Sequence, residues 1–220
     1  MSATTTTVQP LELELKGPYH PPPSRSRRVL LVDTPGFDHT TSSDYAVRPS
    51  FANGIFSQGV DAVLYFHSMT HDVVSREMKQ DIQVLANLCG SQAANIVTIV
   101  TTRWDVEHGV DHQARLKTLR ETLWKPLLGG GATLRHIHAL GATSDVFMEA
   151  LKNVGETPVK LLLQEELIDR GRAFHKTKAG RCIPNLKDTV KVWEKSGRRI
   201  DEVPVVNTTP REDGQNKETV

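Results

Sequence analysis

Two short stretches carry residue types able to handle a phosphorylated ligand. The first is Val29-Leu30-Leu31-Val32-Asp33-Thr34-Pro35-Gly36-Phe37-Asp38. A carboxylate such as Asp33 can hold Mg²⁺, usually through water. The amide of Gly36 can approach a terminal phosphate, because no side chain blocks it. Asp-x-x-Gly at a strand tip therefore suits a nucleoside triphosphate. The plainer reading is an ordinary strand closed by a Pro-Gly turn. The second stretch is Thr102-Arg103-Trp104-Asp105, again at the end of an apolar run.

These groups need elements to position them. Val29 to Val32 is an apolar run closed by Pro and Gly, which predicts a strand buried on both faces. Asp33 then falls at the carboxyl end of a central parallel strand, where open α/β sheets place ligands. Leu11 to Lys16 alternates apolar and polar residues, the pattern of a half-exposed edge strand. The proline-rich loop from Gly17 to Arg28 suits a hairpin return, so this strand would pair antiparallel with the next. Further strands are expected at Asp61–His67, Asn95–Thr101 and, more weakly, Leu134–Leu140. A helix over Tyr45–Ser57 is interrupted by Pro49. A helix over Val73–Leu88, capped by Thr70 or Asp72, carries Val74, Met78, Ile82, Leu85 and Leu88 on one face and stops at Gly90. A helix over His112–Leu128 ends at Gly129-Gly130-Gly131. Asp145–Val154 and Pro158–Phe174 read as two more. Strands alternating with helices predict βαβ units and a parallel, helix-flanked sheet.

The 220 residues suffice for one domain with a sizeable core plus a tail. The net charge of +1 gives no general reason to bind nucleic acid. Charge is uneven, however. Arg170 to Arg199 holds ten Lys/Arg and two acids, leaving 17 Lys/Arg against 24 Asp/Glu elsewhere. A solvated helix and tail is the favoured reading of that basic stretch, over an acidic membrane surface or nucleic acid, because it lacks interleaved aromatics. Cys89 and Cys182 form no pairing pattern, which points to a reducing, cytoplasmic compartment. No apolar run reaches the length of a membrane span. The organisation expected is a disordered segment 1–10, a domain over 11–174, a basic helix or extension over 175–202 and a disordered tail over 203–220.

The stretches "VLLVDTPGFDHT", "DAVLYFHSMT", "NLCG", "IVTIVTTRWD" and "ETLWKPLL" together resemble one family. It is that of the single-domain G-domain P-loop NTPases of mushroom-forming fungi, distantly akin to septins and immunity-associated GTPases. The resemblance spans roughly Leu11 to Phe174. It implies a three-layer α/β fold, GTP or GDP with Mg²⁺ as ligand, and GTP hydrolysis as the family activity. Asp33 would be the Mg²⁺-side carboxylate and Gly36 the γ-phosphate sensor. Thr102, Arg103 and Asp105 would hold the guanine, the Asp accepting from N1–H and the exocyclic amine as adenine cannot satisfy. Ala142, Thr143 and Ser144 would form the looser base-contacting loop.

The departures bear on chemistry. A phosphate-binding loop reads Gly-x-x-x-x-Gly-Lys-Ser/Thr, and this sequence contains no Gly-Lys pair. The first strand, phosphate loop and first helix have no room before Asp33, and Gly129 to Gly131 is no substitute because it follows a helix and lacks Lys. Arg103 replaces the usual Lys, which keeps charge but not shape. Phe37 stands where some GTPases place a water-orienting Gln. Three readings follow: a G domain with impaired phosphate binding and hydrolysis, a non-enzymatic interaction module with an unknown protein partner, or an incomplete gene product of a full GTPase. A sheet stripped of that first unit is expected to show reduced stability or to self-associate.

Other groupings are set aside. His67/His71 and His108/His112 have four-residue spacing but not His-Glu-x-x-His, so solvated loop histidines are preferred to metal ligands. His136 and His138 fall on one face of a strand. Trp124 should complete the Leu119/Leu123 apolar face, and Trp193 should pack a marginal C-terminal helix. No Gly-x-Ser-x-Gly elbow anchors a hydrolase triad.

Overall fold

The computed structural model describes residues 9–15, 28–34, 59–70, 74–105, 111–138, 143–152 and 154–183. The chain is mixed α/β. Strands β1 (Gln9–Glu14) and β2 (Arg28–Asp33) form an antiparallel pair, with Leu11 opposite Leu31 and Leu13 opposite Val29. A separate parallel sheet has the order β3-β4-β5, from Val63–Ser68, Val97–Thr102 and Thr133–His136.

The antiparallel pairing of β1 and β2 is as the loop between them implied, with β1 two residues nearer the N-terminus than the alternation over Leu11–Lys16. The expectation for β2 itself needs correction. It is neither buried on both faces nor in the parallel sheet. Among the described residues its only strand partner is β1, so one edge is unpaired and Leu30 is left 51% exposed. Contact with the rest of the fold runs through Val32, which packs on the main core.

Strand β4 is the buried centre. Val97 to Thr101 are all buried, as parallel strands flanked on both sides must be. Strand register sorts its faces. Val97, Ile99 and Thr101 share a face with Val63, Tyr65 and His67 of β3 and with Leu134 and His136 of β5. That face meets the main apolar cluster, built from Ile82, Leu85 and Leu88 of α1 (Arg76–Cys89), Leu116 and Leu119 of α2 (His112–Glu121), and the fully buried Trp124. The opposite face carries Arg135, which forms a two-point ion pair with Glu149 of helix α4 (Thr143–Lys152). Phe66, on that second face of β3, is 54% exposed.

Helix boundaries differ from the periodicity in instructive ways. α1 is capped by Ser75, whose hydroxyl accepts from the Met78 amide at 3.1 Å, rather than by Thr70 or Asp72. Gly90 stops it, as expected, in a left-handed conformation with φ 75°. The single helix expected over His112–Leu128 is two. α2 ends at Glu121, and α3 (Lys125–Gly129) begins after a turn. Pro126 explains the break: it has no amide to donate to Thr122, and its ring would strike that carbonyl. The helix expected from Pro158 is also shorter. Val159 bridges Val60, and α5 (Leu162–Gln164) widens into a π-turn over Glu165–Asp169. The expected helix over Tyr45–Ser57 and the Trp193 helix lie outside the described residues. Of the basic extension only α6 (Lys178–Arg181) and the residues beside it are described.

Fully buried Glu166 ties these last turns together. Its carboxylate accepts from the Arg172 guanidinium at 2.7 Å and from the Lys178 amide at 2.8 Å. Gly180 sits so close to this loop that an added methyl would run into the Phe174 carbonyl. Gly180→Ala should therefore lower stability by about 1–3 kcal/mol in urea unfolding. Gly129→Ala, where a methyl meets open space, should change it by less than about 0.5 kcal/mol. Equal effects would contradict this packing.

Candidate functional site

The tip of β4 gathers three of the site residues singled out above, Thr102, Arg103 and Asp105. Thr102 is its last strand residue, and its carbonyl accepts from the Met69 amide at 2.9 Å. Arg103 follows in the left-handed region, φ 58°, the single non-glycine residue there among those described. That conformation costs a non-glycine residue on the order of 1–2 kcal/mol. It turns the chain back, so the Trp104 indole N–H reaches the Thr101 hydroxyl at 3.0 Å while Asp105 stays exposed.

Thr101, fully buried, is the hub of the tip. Its hydroxyl accepts from Trp104 and lies 2.6 Å from His136 Nδ1 and 3.2 Å from the Arg135 carbonyl. With His136 neutral and unprotonated at Nδ1, the hydroxyl donates to the imidazole. With His136 protonated there, the imidazole donates and the hydroxyl turns to the carbonyl. Around Trp104 stand His136 at 4.9 Å in an edge-to-face arrangement, His138 at 5.1 Å and His112 at 5.7 Å between ring centroids. Both His112 ring nitrogens are buried with no hydrogen-bond partner. Burial lowers the His136 pKa, and the nearby His138, Arg120 and Arg135 charges lower it further.

Thr101 was not among the site residues the sequence singled out. The signal that finds it is the parallel register, which sets Thr101 beside His136. The other histidines also differ from expectation. His67 is no solvated loop residue: it is buried in β3, 5.2 Å edge-to-face from Trp124. His71 and His108 lie outside the described residues, among which no group of three or more His, Cys, Asp or Glu side chains is arranged to hold a metal ion.

The remaining site residues divide. Asp33 is exposed at the end of β2, in the hairpin. Gly36 and Ala142 lie outside the described residues. Thr143 opens α4, after β5. Because β4 and β5 are parallel, the β5–α4 connection leaves the sheet at the same end as Arg103–Asp105.

No protein-family model matches the chain, and no curated protein does. The site therefore rests on its own geometry.

Thr101→Val would strip the Trp104 and His136 nitrogens of a shared partner, so it should destabilise by about 2 kcal/mol. Thr101→Ser should restore most of that in the same unfolding assay. The His136 shift has a definite sign. A folded-state pKa below the ordinary 6.5 means the unfolded chain binds the proton more readily, so stability falls as pH drops through about 6.5. The melting midpoint should decline from about pH 7.5 to about pH 5.5, and His136→Gln should flatten the decline. An unchanged slope in that variant would remove His136 from the account.

Proposed function

We propose that the chain is a G-domain-like, guanine-nucleotide-binding protein of the P-loop NTPase class, binding the base better than the phosphates. The observation that carries this reading is the β4 tip. A buried parallel strand ends in Thr102, a left-handed Arg103 and an exposed Asp105, which leaves a carboxylate able to accept two donors from one purine edge. Guanine offers such a pair and adenine does not. Trp104 is locked by Thr101 and fixes the turn from which Asp105 projects. The Arg103 stem can lie along a purine face, and its planar guanidinium adds a stacking surface that Lys lacks.

The phosphate side is weaker. Asp33 supplies one carboxylate, and a Mg²⁺ held there would take its other oxygens from water and from the nucleotide. No Gly-Lys-Ser/Thr segment occurs in this chain, so the backbone cradle and Lys that position β- and γ-phosphates are not supplied by it. Phosphoryl transfer depends on that positioning and charge stabilisation. Binding should therefore be weak and hydrolysis slow.

Calorimetry with GDP, GTP, ADP and ATP in the presence of Mg²⁺ tests the reading. Guanine nucleotides should bind with Kd on the order of 10–100 μM, GDP and GTP should be similar, and Asp105→Ala should abolish the preference over adenine nucleotides. Equal binding of all four, or none, would overturn it. Tight, GTP-selective binding would overturn the part about the phosphates.

A further inference from the structure

A groove of about 660 Å³ runs along α2 and α3. Its floor is Leu116, Leu128 and the bare backbone of Gly129, and its rim carries Lys117, Arg120 and Lys125 against the single acid Glu121. These three cations form no ion pair with any described residue, so their charge is available to an opposing surface. Lys117 and Arg120, one turn apart on α2, repel each other. Glu121, one turn on from Lys117, offsets only part of that cost.

We infer that this groove docks an acidic, amphipathic helical segment of a partner protein. Charge complementarity selects the occupant: apolar side chains would meet Leu116 and Leu128, and flanking carboxylates would meet the three cations. Lys117 and Arg120 stand one turn apart on α2, about 4.5 Å of rise, and Lys125 opens α3 beyond the break. The groove is open along its length, unlike pockets that enclose most of a small ligand. A helix laid into a groove is a recurrent mode of recognition.

The test uses the full chain and a synthetic helical peptide of about 14 residues, with Leu along one face and Glu beside it. Two control peptides carry Lys for Glu, or Ser for Leu. By fluorescence anisotropy the Leu/Glu peptide should bind, and more weakly as salt rises from about 50 to about 200 mM. Both control peptides should bind at least about ten-fold more weakly. Lys117→Glu with Arg120→Glu should weaken Leu/Glu binding by about ten-fold or more. Gly129→Leu fills the groove at a position where added atoms meet open space. It should abolish peptide binding while leaving the melting midpoint and any guanine-nucleotide binding unchanged. Equal binding of all three peptides, or peptide binding indifferent to these variants, would overturn the assignment. So would self-association of the chain, or binding to phosphatidylserine vesicles, that the same variants remove, because the groove would then serve a second copy or a lipid surface.

Discussion

Burial of β4 on both faces is the constraint from which the rest of the structure follows. A strand with Val97, Ile99, Val100 and Thr101 all at 0% exposure must have strands on both edges and cover on both faces, or its backbone and side chains would meet water. β3 and β5 supply the edges. The α1, α2 and Trp124 layer covers one face, and α4 stands against the other at Arg135. Apart from Thr98, whose hydroxyl pairs with that of Thr133, the buried polar groups of the strand gather at its end. There the buried hydroxyl of Thr101 has to find partners, and Trp104 and His136 are drawn in to satisfy it. The strained Arg103 turn is held by this packing: without the Trp104 anchor, a left-handed arginine has little to keep it there.

Much of the fold was legible because apolar periodicity reports burial directly. Helical spacing alone places the α1 face, where Ile82, Leu85 and Leu88 all reach the core, and the leucine stripe of α2 places Trp124. The failures have separate physical causes. Val29 to Val32 is as apolar as a buried strand, yet apolarity states what a strand tolerates, and the number of neighbouring strands decides what it receives. Pro126 breaks a helix whose leucine spacing continues across the break. The π-turn after Gln164 depends on the Glu166 contacts with Arg172 and Lys178, which no local pattern encodes.

The candidate site was legible in part for the same reason. Contiguous residues at one strand tip, Thr102 to Asp105, need no tertiary information to be grouped. The Thr101–Trp104–His136 hub does, because it joins residues 35 positions apart through register. Asp33 stands differently again. It reaches the core through its neighbour Val32, from a hairpin outside the parallel sheet. The α2–α3 groove uses a third kind of information, the balance of charge around an apolar floor.

Whether the two carboxylates serve one ligand is the central question, and amide chemical shifts answer it most directly. On titration with GDP and Mg²⁺, the amides of Val32 to Thr34 and of Arg103 to Asp105 should shift along one common isotherm. Movement at only one of the two strand ends, or at neither, would contradict a shared guanine-nucleotide site.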